Sequence, residues 1–315
     1  MLRQLGATNL SVSPFCLGGN VFGWTADEAS SFEVLDMYAD AGGNFIDTAD
    51  TYSSWVPGHV GGESETVIGN WLARRGRRDD VLIATKVAKR PEFRGLSASN
   101  IRASVDGSLR RLKTDYIDVY YAHEDDESVP LEETLGAFND LVVAGKVRVI
   151  AASNFTTERL AASLAVSRAN GLAEYQVIQP HYNLLVRDEF EGAMQELCLA
   201  EGIACVPYFG LARGFLTGKY REGVVVESAR AGGTTMYQDE RGWRTLAVMD
   251  KIAARHDTTL AAIALSWVAS QPAVAAPIAS ARTTTQLTDL LPMADLQLDA
   301  AELSALATAA SATAA

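Results

Sequence analysis

The amino-acid sequence predicts an α/β chain folded as a (β/α)8 TIM barrel, with a short N-terminal β-hairpin and a long loop after the seventh strand. Three observations carry this reading. A short apolar run of β type, a loop rich in special residues and a segment of helical periodicity recur in that order, giving eight strand candidates along 315 residues. The runs are apolar nearly throughout, as expected of parallel strands covered by helices rather than of strands with one wet face. Eight such units is the number that closes a parallel sheet into a barrel. An open doubly wound sheet is the runner-up, but it announces its nucleotide with G-x-G-x-x-G after the first strand. Here that strand is followed by Gly18-Gly19-Asn20-Val21-Phe22-Gly23, whose spacing is wrong.

Residues 2–13 alternate in character and turn at Gly6 to Asn9, which reads as a hairpin that plugs or lids the core. The strand candidates are residues 14–19, 44–47, 81–86, 116–122, 147–153, 175–179, 203–208 and 273–279. Between them, Thr25 and Glu28 form a capping box before a helix through Phe32, Leu35 and Tyr38 that Gly42 ends. Val67, Ile68, Trp71 and Leu72 make the next apolar stripe, and Ser97 caps a helix facing inward through Ile101, Val105, Leu109 and Leu112. Pro130 opens and Gly145 closes a helix through Leu131, Leu135, Phe138 and Leu141. Leu160 and Leu164 lead to Gly171, Phe190, Met194 and Leu197 lead to Gly202, and Leu260, Ile263 and Trp267 lead to Pro272. Residues 209–242 form the one large irregular insertion, a candidate lid or ligand clamp. The Ala-rich tail, residues 300–315, reads as a last helix that frays.

Composition narrows the function. With 48% hydrophobic and 21% charged residues the chain buries a large core, and one domain over residues 1–315 is expected. Twenty-seven basic against 39 acidic residues give a net charge of −12, which disfavours nucleic acid and anionic membranes as partners. Cys16, Cys198 and Cys205 are odd in number and follow no N-terminal export signal, so a reduced, cytoplasmic protein without structural disulfides is expected. Apolar runs are interrupted well before the roughly 18 residues a membrane helix needs.

In a parallel barrel the strands end at one face, so residues closing them become neighbours. The second strand ends at Asp47 with Tyr52 just beyond, the third at Lys86 and the fourth at His123. Asp47 is the natural counterion for a desolvated Lys86. The lysine is expected to lower the phenol's pKa, and a neutral His123 to hold a substrate oxygen beside Tyr52. This is a proton donor aimed at a carbonyl oxygen, without a nucleophile. No G-x-S-x-G elbow and no cysteine beside a histidine argue for acyl transfer, and the acidic run His123 to Glu127 reads as solvated rather than metal-binding. A hydride from a nicotinamide completes the chemistry.

With these residues the chain resembles the aldo-keto reductase superfamily, most closely its bacterial NADPH-dependent branch, which is itself similar to potassium-channel β-subunits. The resemblance rests on residues 43–52, Ala84-Thr85-Lys86, residues 109–123, Ala152-Ser153-Asn154-Phe155, and Tyr208 with residues 211–220. It implies a catalytic Asp47, Tyr52, Lys86 and His123, with Tyr52 as general acid. It also implies an NADPH/NADP site. Ser153, Asn154 and Gln179 would hold the carboxamide and Tyr208 would stack on the ring. Residues 211–219, including Leu211, Arg213, Gly214 and Lys219, would wrap the pyrophosphate. Residues 279–286 would hold the adenosine end, with Ser280, Gln286 and, at a 2′-phosphate, Arg282. The chain departs from the family pattern at Ser53, at Phe209-Gly210 where Ser-Pro is usual, at Ser280 and at Leu290.

The resemblance implies reduction of a small aldehyde, ketone or sugar-like carbonyl by a monomer or weak homo-oligomer. A cofactor-binding redox sensor or regulatory subunit, and a dehydrogenase of a sugar or pyridoxal-like alcohol, stay open beside it. Trp24 and Trp55 are candidate walls of the substrate pocket. Trp71, Trp243 and Trp267 read as core, His181 as a core or surface histidine, His59 as a turn residue, Cys205 as inert and Asp50 as a loop residue.

Overall fold

The computed structural model describes residues 2–226 and 231–311. A hairpin of β1 (Arg3–Gln4) and β2 (Ser11–Val12) precedes the barrel strands β3 (Cys16–Gly18), β4 (Phe45–Asp47) and β5 (Leu82–Val87). A second hairpin, β6 (Lys89–Arg90) and β7 (Phe93–Arg94), follows, and then β8 (Ile117–Ala122), β9 (Val147–Ser153), β10 (Val177–Gln179), β11 (Ala204–Cys205) and β12 (Ile278–Ala279). The eight-stranded sheet runs β11-β10-β9-β8-β5-β4-β3-β12, and its paired strands are parallel. Bonds from Ala275 N to Cys205 O and from Ile278 N to Pro207 O, both 2.9 Å, close the ring between β11 and β12. This is the expected barrel. Pro207 and Pro277 lack an N–H to give a ladder, which explains why the last two strands are shorter than their apolar runs.

The helices are α1 (Glu28–Asp40), α2 (Glu63–Arg75), α3 (Ala98–Leu112), α4 (Leu131–Val143), α5 (Thr157–Asn170), α6 (Ala193–Glu201), α7 (Glu240–His256), α8 (Leu260–Ala269), α9 (Thr284–Leu290) and α10 (Ala300–Ala309). Ser97 caps α3 as expected, and Gly171 and Gly202 end α5 and α6 in the left-handed region. The cap of α1 is corrected: Asp27, not Thr25, accepts from Ser30 N, because a carboxylate one residue before the helix takes the first free amides. A capping box does form at Asp299 and Glu302, before α10. The frayed end expected at residues 312–315 lies outside the described residues. The insertion after β11 is less irregular than expected, with 3-10 turns at Ala212–Thr217 and Ala231–Tyr237 before α7. Trp243, expected in the core, starts α7 and is only half-buried, whereas Trp71 and Trp267 are fully buried.

Two apolar layers result. Between sheet and helices lie residues such as Leu17, Ile46, Ile83, Tyr120, Ile150 and Ile178. Inside the barrel lie Cys16, Phe45, Leu82, Ala84, Val119, Tyr121, Val149, Ala151, Val177, Val206 and Ile278. Leu5, Leu10 and Val12 of the first hairpin join the inner set, so that hairpin plugs the barrel. The three cysteines are free and buried.

Candidate active site

The strand period of two builds the site. Each inner-core series ends on an apolar residue, and the side chain two positions later points into the same interior at the C-terminal mouth. Cys16 is thus followed by Gly18, Phe45 by Asp47, Ala84 by Lys86 and Tyr121 by His123. Ala151 is followed by Ser153, Val177 by Gln179, Val206 by Tyr208 and Ile278 by Ser280. All but Lys86 line one cavity of about 650 Å³, and Lys86 is sealed beneath it.

Lys86 Nζ donates to Asp47 Oδ1 (2.7 Å) and Oδ2 (2.6 Å), to Thr48 O (2.7 Å) and to Tyr52 Oη (3.0 Å). Tyr52 Oη donates to Asp47 Oδ2 at 3.2 Å, and Gln179 Nε2 donates to Oδ1 at 3.0 Å. Burial lowers the lysine's pKa, opposed by Asp47. The expected lowering of the Tyr52 pKa is corrected: burial and then the Asp47 carboxylate push it well up, because the ammonium is already neutralised by that carboxylate. Tyr52 is therefore a neutral phenol that accepts from Lys86 and donates to Asp47. Turned toward the cavity, the same O–H can serve a ligand oxygen while Lys86 continues to stabilise the oxygen that gives up the proton. His123 is held well below its ordinary pKa by burial and by Lys86 and Lys89, so its imidazole is neutral. Its ring lies 6.2 Å from that of Tyr52, and its Nδ1 is buried without a hydrogen-bond partner among the described residues.

The cavity continues past this cluster. Asn154, with φ of 57°, donates to His123 O (2.8 Å) and Ser153 Oγ (3.0 Å) and accepts from Tyr208 Oη (2.8 Å). Ser153 Oγ donates to Gln179 O at 2.8 Å. Phe209, Leu211, Arg213, Gly214, Lys219, Ser280, Arg282, Gln286 and Leu290 line the rest. Phe209, Ala212, Arg213 and Gly214 all have positive φ, and the amides of Ala212 and Gly214 close tight turns on Phe209 O and Leu211 O, both at 2.8 Å. With Arg213, Lys219 and Arg282 on its walls, this lobe is cationic in a chain of net charge −12 and fits a group carrying phosphates. Gly210 is buried beside Leu265 and Pro277 and does not line the cavity. Trp55 lines it at the Tyr52 end, and Trp24 packs edge-on against Trp55 at 5.5 Å.

Several residues take other places than expected. Asp50 is no ordinary loop residue: it is 1% exposed, neither carboxylate oxygen has a hydrogen-bond partner among the described residues, and burial with the nearby Glu65 raises its pKa to about 8. His181 packs face to face on Tyr208 at 5.5 Å, neither simple core nor surface. His59 lies in the expected turn region. In the acidic run, Asp125 pairs with Arg159, Glu124 with Lys89, and Asp126 accepts from Leu96 N, so it is only partly solvated. Among the described residues no group of three or more His, Cys, Asp or Glu is placed to hold a metal. Sequence reading missed Lys89 in the cavity wall, because it lies three residues past Lys86 and so out of phase with the inner face. It also missed the Thr48 carbonyl under Lys86, which no side-chain pattern reveals. No helix of the described residues is long and apolar enough to cross a membrane.

The model for the Aldo/keto reductase family matches residues 14–310. Among similar proteins, Norsolorinic acid reductase A of Aspergillus parasiticus is 32% identical over 314 aligned residues, covering 94% of this chain and 77% of that protein. Protein tas of Escherichia coli is 33% identical, covering 90% of each chain. Aldo-keto reductase YhdN of Bacillus subtilis is 33% identical, covering 89% of this chain and 83% of its own.

Proposed function

The chain belongs to the aldo/keto reductase family, and on that premise we propose that it is an NADPH-dependent oxidoreductase that reduces an aldehyde, ketone or sugar-like carbonyl to the alcohol, with Tyr52 as general acid. The observation that carries the reading is Lys86 Nζ, 3.0 Å from Tyr52 Oη and anchored on both oxygens of Asp47. A bound reduced nicotinamide supplies a hydride to the carbonyl carbon. Tyr52 gives its phenolic proton to the carbonyl oxygen, and the negative charge left on Oη is stabilised by the Lys86 ammonium. Asp47 keeps that ammonium charged and in place. Neutral His123 holds the carbonyl oxygen at the Tyr52 end of the cavity, and Trp55, backed by Trp24, walls the substrate.

Ser153, Asn154 and Gln179 would hold the carboxamide end of the coenzyme, and Tyr208, backed by His181, would support its ring. Phe209, Leu211, Arg213, Gly214 and Lys219 would form the phosphate lobe, and Ser280, Arg282 and Gln286 the adenosine end. Arg282, which can pair bidentately with a 2′-phosphate, selects NADPH. The Aspergillus relative's name, a reductase, supports the reductive direction. In this reading residues 1–315 act as one domain, in the cytoplasm, as a monomer or weak homo-oligomer. The test is a panel of aldehydes and ketones, with coenzyme consumption followed by absorbance. Turnover that requires both partners is expected, and tight NADPH binding with negligible turnover across the panel favours a redox sensor instead.

A further inference from the structure

The chain leaves regular strand geometry just after β5. Val87 and Ala88 both pack in the outer core, and Ala88 has φ of 106°, a region that L side chains rarely adopt. A non-glycine residue held there is strained, and such strain persists where the surroundings impose it. They do so here: Gly95 N donates to Ala88 O at 3.0 Å, and β6 and β7 pair antiparallel. Thr51 Oγ1 donates to Lys89 O at 3.2 Å, fastening this hairpin to the residue next to Tyr52. The kink breaks the in-and-out alternation of β5 and brings Lys89 to the cavity wall with Tyr52, His123 and Trp55.

The charges around that wall are uneven. Its carboxylates are Asp47, neutralised by Lys86, and Asp289, which shares α9 with Gln286 at the phosphate-lobe end. Arg213, Lys219 and Arg282 belong to the phosphate lobe. Among the described residues Lys89 has one ion-pair partner, Glu124 at 3.1 Å, and the side chains are 35% and 46% exposed. Such exposed pairs are weak, so Lys89 can exchange Glu124 for a ligand carboxylate at little cost. The molecule as a whole carries −12 and repels anionic substrates, which makes a local cation at the mouth consequential.

We propose that Lys89 selects the substrate, pairing with a carboxylate on the carbonyl compound reduced at Tyr52, so that the preferred substrates are aldehydes or ketones bearing an acidic group. This rests on the reductase reading above. The competing role for Lys89 is a solvated rim cation whose stem covers apolar surface.

The experiment compares para-carboxybenzaldehyde with para-tolualdehyde, two flat substrates suited to the Trp55 wall, at neutral pH with saturating NADPH. The ratio of their kcat/KM values is measured in the wild type and in Lys89→Gln, Lys89→Glu and Glu124→Gln. Each ratio is taken within one protein, so a general loss of folding or activity cancels. The wild type favours the carboxylate. The ratio falls about fivefold to tenfold in Lys89→Gln, as loss of a partly exposed ion pair to substrate requires, and falls further in Lys89→Glu. It rises in Glu124→Gln, which removes the competing carboxylate, and in the wild type it declines with added salt. A ratio unchanged in both Lys89 variants overturns the proposal and leaves the reductase reading intact. Absence of NADPH consumption with either aldehyde in the wild type overturns both.

Discussion

Lys86 Nζ lies 2.6 Å from Asp47 Oδ2, with the lysine side chain fully removed from solvent and the aspartate nearly so. Neither charge is tolerable there alone, and together they place a cation 3.0 Å from the phenol oxygen of Tyr52. Removing one partner leaves a buried charge uncompensated. Lys86→Met should therefore cost about 3–5 kcal/mol of stability. The double variant Lys86→Met with Asp47→Asn should recover much of that loss and none of the activity. Urea unfolding of the wild type and the two variants, with carbonyl reduction measured in parallel, checks this. Equal stability of the single and double variants would show that the pair is not coupled.

Asp50 sets a second prediction. Its folded-state pKa, about 8, lies above the ordinary value of 3.8, so between those pH values the folded chain binds more protons than the unfolded one. By linkage its side chain lowers stability progressively as pH rises from about 4 to about 8. Asp50→Asn, which keeps the shape and cannot ionise, should gain on the wild type over that interval, reaching on the order of 2–4 kcal/mol at pH 8. Below pH 4 the gap should vanish. Melting temperatures of the two proteins across this range check it, and a gap independent of pH contradicts it.

Arg282 is exposed at the far end of the cavity, where its backbone N–H donates to Gln286 Oε1 at 3.0 Å. Arg282→Ala should raise the NADPH dissociation constant by roughly 10- to 100-fold, as loss of a charge-assisted pair of about 1.5–3 kcal/mol requires, and leave NADH binding nearly unchanged. Fluorescence titration with both coenzymes measures it. Equal weakening of both would assign Arg282 a role away from the 2′-phosphate.

Much of this was legible in the sequence, for a physical reason. Strand residues alternate, so an apolar series that ends on Asp47, Lys86 or His123 delivers that side chain to the barrel mouth without knowledge of the loops. The same rule applies to Ser153, Gln179 and Tyr208. What the sequence hid depends on departures from regular geometry. Lys89 reaches the cavity through the left-handed Ala88, a conformation no residue pattern there announces. The charges that act on the buried Asp50, Glu65 and Arg111, come from α2 and α3, far from it in sequence. The Tyr52 pKa was misjudged because a lysine pairs with the nearest carboxylate before it acts on a phenol.

The most direct test of the central claim is Tyr52→Phe, measured for both turnover and coenzyme binding. The substitution removes one hydroxyl from a ring still held against Trp55 and beside His123. With the proton donor gone, kcat for carbonyl reduction should fall by about 100- to 10,000-fold, with NADPH affinity and melting temperature close to those of the wild type. Turnover within a few-fold of the wild type in a folded, NADPH-binding Tyr52→Phe protein would contradict the assignment of Tyr52 as the acid.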